Sequence, residues 1–138
     1  MYGSLDISVS GLIAQRTRMQ VIAANIANIN TLEDAQGNYS PYLRRSVMFA
    51  PGDPAAKSPQ GREMGVQVEQ IKIESEALTR RLMPGHPYAD KDGYVMVPDI
   101  NPVVEQLNAM EASRAYEANI AAAEAAKAMM SQALRLLA

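Results

Sequence analysis

Few residues in this chain have types and spacing that could support chemistry, and most of those lie in one short stretch. His86 is the only histidine, and neither a cysteine nor a second histidine is present to complete a zinc site. The DKDG segment at 90–93 is similar to the opening of a calcium loop. An EF-hand, however, needs glycine at its sixth position and glutamate at its twelfth. Here the glycine is fourth and the twelfth residue is Asn101, so we interpret both features as turns.

Nucleophilic and acid–base catalysis also lack a recognisable arrangement. Ser8, Ser10 and Ser113 have no histidine close by in sequence, and none has the flanking glycines of a nucleophile elbow. The carboxylates are scattered along predicted helix faces, and no phosphate-binding loop or dinucleotide fingerprint occurs. The sequence therefore offers no support for an enzyme, and it predicts no cofactor and no metal.

Three arginines close to apolar positions admit two interpretations. Arg16, Arg18 and Arg114 lie on or beside the apolar faces of predicted helices. Their alkyl stems could cover apolar surface while the guanidinium groups stay in water. Alternatively, they form ion pairs between subunits, for which the candidate partners are Glu105, Glu111 and Glu117. The sequence does not separate these two interpretations.

Charge and composition exclude several classes of protein. The chain has 13 basic and 15 acidic residues and a net charge of −2, so it lacks the basic field that attracts nucleic acid. No apolar run approaches the ~18 residues of a transmembrane helix. Residues 1–19 lack the basic start of a secretory signal peptide. We therefore expect no nucleic acid partner, no membrane insertion and no cleaved leader, and the absence of cysteine makes the chain indifferent to redox compartment.

The elements that position these residues begin and end with long amphipathic helices. The first is predicted from Ser4 to Ile29, with an apolar stripe formed by Leu5, Val9, Leu12, Met19, Ile22, Ile26 and Ile29. The second is predicted over 101–138, with Asn101 as N-cap and Pro102 at the first helical position. Its stripe changes phase near Ser113 and comprises Val103, Leu107, Met110, Tyr116, Ile120, Ala123, Lys127, Met130, Leu134 and Leu137. At about 1.5 Å per residue this helix is roughly 55 Å long, far longer than a small globule needs.

Short strands are predicted between the helices, at 42–49, 66–73, 77–83 and 94–97. Two polar residues in a row predict a β-bulge at Glu69-Gln70. The proline and glycine density of 50–65 predicts an exposed, mobile loop without helix. The predicted fold is mainly α with a small β insert, the two long helices forming an antiparallel hairpin or coiled coil. Residues 1–30 and 101–138 would form a discontinuous helical core, and residues 31–100 the loop and β insert.

A lone hairpin of this composition is expected to be marginally stable. It buries one stripe on each helix. The faces that lie away from these stripes still carry apolar residues: Ile7, Ile13, Val21, Val104, Met129 and Leu136. At about 25 cal/mol per Å² buried, the alanine-rich middle of the second helix contributes little against an ordering cost of about 1–2 kcal/mol per residue. We expect the helices to be stable when packed against other copies, and an ordinary helical domain with a wide apolar face is the alternative.

Several segments resemble the bacterial flagellar rod and hook proteins, the axial family of the flagellum. They are SGLIAQRTRM at 10–19, ANIAN at 24–28, YLRRSVMF at 42–49, PGHPYAD at 84–90, GYV at 93–95 and ASRAYEAN at 112–119. The later segments are most similar to the proximal-rod members of this family. The residues expected to carry the family motif or the assembly interface are Leu12, Gln15, Arg16, Met19, Asn25, Ala27, Asn28, Arg114, Tyr116, Asn119, Ile120, Ala123, Met130 and Leu134.

The resemblance implies a structural subunit of the basal-body rod. Copies would stack helically, with the terminal helices lining the inner tube of a rod that spans the periplasm and transmits torque from motor to hook. The resemblance further implies export through the flagellar type III apparatus without a cleaved signal. The implied partners are other copies of the chain, rod proteins of the FlgB, FlgF and FlgG types, and FliE.

Two other functions remain to be weighed against assembly into a rod. One is a soluble helical adaptor or secretion chaperone that binds a partner helix along a groove. The other is a helix lying on a membrane surface, which is less favoured because few basic residues flank the apolar faces.

Overall fold

The computed structural model describes residues 2–137, with the side chains of residues 3–136. The elements are α1 (Tyr2–Ala27), β1 (Arg45–Pro51), α2 (Pro59–Met64), β2 (Val66–Ile73), β3 (Leu78–Leu82), β4 (Tyr94–Pro98) and α3 (Pro102–Leu137). The predicted fold class is confirmed, because two long terminal helices enclose a small β region. The predictions that involve Met1, Ala138 and the side chain of Leu137 lie outside the described residues.

The ends of the long helices follow from local hydrogen bonds. Asn101 Oδ1 accepts from the backbone N–H of Val103 at 2.9 Å, which confirms the predicted N-cap of α3. α1 ends at Ala27, two residues before the predicted end. Asn28 Nδ2 donates to the carbonyl of Ala24 at 2.9 Å, and Thr31 N donates to the carbonyl of Asn28 at 3.1 Å. These bonds turn the chain out of the helix.

The strands form two separate two-stranded antiparallel sheets, β1-β2 and β3-β4. The predicted β-bulge is confirmed: Gln70 lies opposite Met48 and Val68 opposite Phe49, so Glu69 is the additional residue. β1 begins at Arg45, later than predicted, because the backbone N–H of Tyr42 instead donates to the carbonyl of Thr31 at 3.0 Å. The third and fourth strands agree with the prediction to within a residue at each end.

The prediction that 50–65 is an exposed loop without helix is wrong. Ser58 Oγ accepts from the backbone N–H of Gly61 at 3.1 Å and caps α2, and Pro59 occupies a position where no N–H is needed. The segment lies against α1, where Asp6 Oδ2 accepts from Ser58 N at 2.9 Å. Gly61 is buried, and a Cβ there would lie 2.8 Å from the Cβ of Asp6. Proline here begins a short helix, and glycine permits its close contact with α1.

α1 and α3 pack antiparallel along a seam of small and polar residues. A Cβ added at Gly11 would lie 2.7 Å from Asn119 Oδ1, which shows how closely the helices approach. On α3 the seam recurs every seven residues, at Glu105, Ala112, Asn119 and Ala126. Ala112 is 0% exposed and Ala126 6%. This spacing continues without the change of phase predicted near Ser113.

The predicted apolar stripes therefore coincide with the seam of the hairpin only in part. On α3, Val103, Leu107 and Leu134 are 61%, 60% and 63% exposed. On α1, Val9 is exposed, and Ile22 is the only member of the predicted stripe that is buried within the described helix. Small residues allow the two backbones to approach closely, and the exposed large apolar residues, among them Val103, Leu107 and Leu134, face away from the seam.

Candidate assembly surface

A buried polar junction holds the ends of the two long helices against the β region. Asn25 on α1 is 1% exposed. Its Nδ2 donates to the carbonyl of Arg45 at 2.8 Å and to Glu105 Oε2 at 3.1 Å. Its Oδ1 accepts from Arg45 N and from the hydroxyl of Tyr42, both at 3.0 Å. One amide thus joins α1, the start of β1 and the first turn of α3.

An ion pair completes the junction. Arg44 donates to Glu105 Oε1 from Nε at 2.9 Å and from Nη2 at 2.7 Å, and its Nη1 donates to Glu74 Oε1 at 2.9 Å. Although burial alone lowers the pKa of Arg44, the hydrogen bonds and charges of Glu105 and Glu74 raise it above the ordinary value. Burial raises the pKa of the Tyr42 hydroxyl. The side chains of Asn25, Arg44 and Glu105 are therefore hydrogen-bonded to one another and to the backbone, which fixes the positions of the charged groups in the junction.

The sequence did not predict that Asn25, Arg44 and Glu105 would form one junction. Asn25 and the segment 42–49 were expected to carry family identity, but Glu105 gives no local sign of burial. A glutamate in the first turn of a helix is usually explained by the helix dipole. Its partner Arg44 lies 61 positions away in sequence. The polar contacts of Asn25 all lie within the chain.

The other predicted assembly residues lie in several environments. Half-buried members on α1 and at its end are Leu12, Gln15, Met19 and Asn28, and those on α3 are Tyr116, Asn119, Ala123 and Met130. The exposed members are Arg16, Ala27, Arg114, Ile120 and Leu134. Within the described residues, Gln15 Oε1 is buried without a hydrogen-bond partner. The contact of these residues with another subunit stays a prediction.

The three arginines near apolar positions separate into two groups. Arg18 Nη2 lies 2.9 Å from Glu111 Oε2, so this pair forms within one chain. Arg16 and Arg114 are exposed and have no carboxylate within 4.0 Å among the described residues. These two arginines are consequently free to contact a neighbour.

The residues considered for metal binding form turns. His86 Nδ1 accepts from the backbone N–H of Tyr88 at 3.2 Å. Asp90 Oδ1 accepts from the backbone N–H groups of Asp92 and Tyr94 at 3.0 and 2.8 Å, and Oδ2 accepts from Arg80 at 3.0 Å. These bonds, chiefly the one from Tyr94, hold the pKa of Asp90 below 3.8. Over residues 2–137 no cluster of metal-ligating side chains is present.

The first turns of α3 carry a row of large apolar side chains that face away from the hairpin. We call Val103, Leu107 and Met110 the outer face of α3; they are 61%, 60% and 53% exposed. Their spacing of four and three residues places them on one side of the helix. Burial of such a side chain is worth about 1.5–3 kcal/mol. Exposed apolar rows of this kind are typical of surfaces that contact other proteins.

This architecture is typical of a structural subunit that packs against others. Small residues close its own hairpin, and large apolar residues remain on the outside. No helix in the described part of the chain is long and apolar enough to cross a membrane.

Comparisons with known proteins agree with this class. Residues 5–32 match the family model described as flagella basal body rod protein, and residues 91–136 match the C-terminal model of the flagellar basal body rod FlgEFG proteins. Flagellar basal-body rod protein FlgC of Borreliella burgdorferi is 37% identical, covering 99% of this chain and 97% of that protein. The FlgC proteins of Salmonella typhimurium and Bacillus subtilis are 38% and 32% identical, covering 95% and 98% of this chain and 93% and 97% of their own lengths.

The chain belongs to the FlgC family of flagellar basal-body rod proteins. It is a structural subunit of the rod, located in the flagellar basal body, where it assembles with other basal-body components. The adaptor or chaperone alternative is not favoured.

Proposed function

We propose that this subunit builds the proximal part of the rod, polymerising helically with its own copies and with other rod proteins. The rod then spans the periplasm and transmits torque from the motor to the hook. The observation that carries this proposal is the outer face of α3, Val103, Leu107 and Met110, on a helix whose own seam is already filled. Side chains so exposed on one chain are stabilised when a neighbouring subunit covers them.

We propose different positions in the rod for the helical hairpin and for the segment between its helices. Residues 1–30 and 101–138 form the helical core that lines the inner tube, and residues 31–100 cover the outside. The polar junction supports this division, since Asn25, Arg44 and Glu105 fix the β region relative to both helices. A subunit that transmits torque needs a rigid connection of this kind. A force applied to residues 31–100 must reach the helices without changing the orientation of the β region relative to them.

The proposed neighbours are rod proteins of the FlgB, FlgF and FlgG types together with FliE. Export is proposed to occur through the flagellar type III apparatus, with the chain unfolded and without removal of a leader. The absence of cysteine supports this route, because no disulfide resists unfolding or must form afterwards. We propose a purely structural role without catalysis, which accords with the names of the relatives as rod proteins.

A charge placed on the outer face of α3 tests the proposal. In cells that depend on this chain for their flagella, Leu107→Glu should abolish rod assembly and swimming. Gln106→Glu is the matched control, since Gln106 is exposed on the adjacent position of the same helix. Circular dichroism of both purified variants should show unchanged helix content. Normal rods and swimming with Leu107→Glu would overturn the proposal that the outer face is an assembly contact.

A further inference from the structure

The side of α1 that faces away from the hairpin carries exposed residues at regular intervals. They recur at alternating steps of four and three positions, and we call them the outer row of α1: Val9, Ile13, Arg16, Gln20, Ala23 and Ala27. At 3.6 residues per turn, Ile13 points about 200° away from Gly11, which lies in the seam. Alternating steps of four and three are typical of a helix face that packs along a second helix. α1 therefore presents such a face on the side opposite α3.

α3 carries a row of the same spacing on its own outward side. The outer face of α3, which is Val103, Leu107 and Met110, continues through four further exposed residues: Arg114, Glu117, Ala121 and Glu124. We call these seven residues the outer row of α3. Leu107 points about 200° away from the buried Glu105 of the seam. Each hairpin consequently presents one exposed heptad row on either side.

Copies that point in the same direction bring these two rows together. Within the chain α1 and α3 are antiparallel, as the approach of Gly11 to Asn119 and the ion pair of Arg18 with Glu111 show. α1 of one copy therefore runs antiparallel to α3 of a neighbour that has the same orientation. Because such a contact joins two different surfaces, it is heterologous and continues from copy to copy.

Side-chain size favours one antiparallel register of the two rows. With Arg16 opposite Glu117, three large apolar side chains each lie opposite an alanine of the other row: Ile13 with Ala121, Met110 with Ala23 and Leu107 with Ala27. Large residues that face small ones interdigitate and let the helices approach. In this register a neighbour covers Ile13, Leu107 and Met110, which are 50%, 60% and 53% exposed in the single chain.

The order of charges favours the same register. Arg16 and Glu117 are both exposed, and neither has an opposite charge within 4.0 Å among the described residues. Arg114 then lies opposite Gln20, whose amide oxygen can accept a hydrogen bond from it. The outer row of α3 carries both signs of charge, so its net charge does not select a partner. The position of Glu117 within the row does.

Neighbouring antiparallel registers fit less well. A shift by one heptad in one direction pairs Arg16 with Glu124, but it leaves Leu107 beyond the end of α1 at Ala27. A shift in the other direction sets Arg16 opposite Met110, where its charge has no partner. Of the three registers, only the one with Arg16 opposite Glu117 both pairs the charges and covers Leu107 and Met110.

The outer rows of two α3 helices also fit each other. Arg114 of each helix then lies opposite Glu117 of the other, and Met110 lies opposite Ala121. That contact uses the same surface twice, so it closes as a two-fold dimer and cannot join copies that point in one direction. It also leaves the outer row of α1 uncovered. A rod built from copies in one orientation therefore favours the contact between α1 and α3.

We propose that the outer row of α1 in one copy packs antiparallel along the outer row of α3 in the next copy, with Arg16 paired to Glu117. This inference rests on the proposed function and names the two surfaces through which copies meet. Apolar burial supplies the attraction, and the ion pair fixes the register.

This register displaces successive copies along the helix axis. Gly11 lies level with Asn119 of its own α3, and in the contact between copies it lies level with position 122 of the next α3. The difference of three residues, from 119 to 122, corresponds to about 4.5 Å at 1.5 Å per residue. A heterologous contact with such a displacement continues as a helix and does not close into a flat ring.

Reversal of the two charges tests the ion pair. In cells whose rods depend on this chain, Arg16→Glu and Glu117→Arg should each reduce the number of rods and the swimming speed several-fold. The double variant should restore both, because the pair forms again with the charges exchanged. Arg81→Glu on exposed β3 is the matched control: alone it should leave rods intact, and combined with Glu117→Arg it should restore nothing. Circular dichroism should show the same helix content for every variant.

Cysteine cross-linking tests the register, since the chain has no cysteine of its own. Ala23→Cys combined with Met110→Cys, treated with a short thiol-specific cross-linker, should link the chain into dimers and higher multimers in purified basal bodies. Each single variant should give no links. Neither should Ala23→Cys with Ala128→Cys, because Ala128 is exposed on the same side of α3 but roughly 27 Å further along. Ala27→Cys with Leu107→Cys is a second pair across the same contact.

The outcomes separate this inference from the proposed function. Rods that contain either cysteine pair without links between copies, or a double charge reversal that restores nothing, would overturn the inference and leave the rod function intact. Links to a different rod protein would overturn the choice of a second copy as partner. Links in a variant with Met110→Cys and Ala121→Cys would identify the closed dimer through α3 instead. If neither cysteine pair enters rods, the charge reversal decides. Absence of the unaltered chain from purified basal bodies would overturn the function itself.

Discussion

Arg44 donates two hydrogen bonds to a single carboxylate oxygen, Oε1 of Glu105, at 2.9 and 2.7 Å. The other oxygen, Oε2, accepts from Asn25 Nδ2 at 3.1 Å, so both oxygens of this buried carboxylate are bonded. The pair links the first turn of α3 to the residue that precedes β1. A buried charge persists only when it is paired and hydrogen-bonded in this way. Glu105 and Arg44 therefore define the angle at which the β region leaves the hairpin.

Glu105→Ala should lower the free energy of unfolding by about 3 kcal/mol, because breaking a buried pair leaves its partner uncompensated. We expect the lower end of the usual range since Arg44 keeps its bond to Glu74. Urea unfolding followed by circular dichroism measures the change. Glu111→Ala is the matched control on the same helix, where the exposed pair with Arg18 should contribute only about 0–1 kcal/mol. An equal decrease in the free energy of unfolding of the two variants would show that the buried pair of Glu105 contributes no more to stability than the exposed pair of Glu111.

Gly11→Ala should destabilise the hairpin even though alanine favours helix by about 1 kcal/mol. Its new Cβ would lie 2.7 Å from Asn119 Oδ1, too close without a shift of that side chain. Adding Asn119→Ala should remove the clash and recover the helix propensity. Thermal unfolding of the two single variants and the double variant measures the coupling. If the effects of the two substitutions simply add, Gly11 and Asn119 do not limit the approach of the helices.

Ala123→Leu should overfill the seam of the hairpin at a cost of about 1–3 kcal/mol and block rod assembly. Ala123 is half-buried on the helix face that also carries Ala112, Asn119 and Ala126. Ala122→Leu is the control, because that neighbour is exposed. Rod formation is scored by electron microscopy of basal bodies, and the fold of the β region by the amide spectrum of β3 and β4. Normal rods with Ala123→Leu would place Ala123 towards solvent.

The helices and the bulge could be predicted because they depend on local signals. Periodicity identified α1 and α3, the Asn101-Pro102 pair marked the start of α3, and consecutive polar residues located the bulge at Glu69. Ranking residues by hydrophobicity could not predict which side of each helix forms the seam of the hairpin. Glycine and alanine bury little area, yet they let backbones approach, so much of the seam is formed by small or polar residues that a hydrophobic stripe omits, such as Gly11, Ala112 and Asn119. The Arg44–Glu105 pair escaped prediction because it depends on the tertiary fold.

Acid should weaken the turn between β3 and β4 through Asp90. Its folded-state pKa is lowered chiefly by the hydrogen bond from Tyr94 N, so the ionised form stabilises the fold above the ordinary value of 3.8. That contribution is lost as the pH falls through the lowered folded-state pKa. The amide resonances of Asp92 and Tyr94 should report this loss during an acid titration. Asp90→Asn, which keeps an acceptor oxygen but cannot titrate, should remove the transition; an unchanged titration would exclude Asp90 as its source.

The end of α3 should gain protection from hydrogen exchange only on assembly. Gly11 lies against Asn119 and Arg18 against Glu111, so the antiparallel seam reaches the start of α1 near residue 128 of α3. α3 continues to Leu137, and Leu134 and Leu136 are 63% and 88% exposed. Amides of residues 129–136 should exchange quickly in dilute protein, because few tertiary contacts hold that part of the helix. Residues 105–119 serve as the internal control and should exchange slowly. In isolated rods both segments should be slow, and equal protection in dilute protein would show that this end needs no neighbour to be stable.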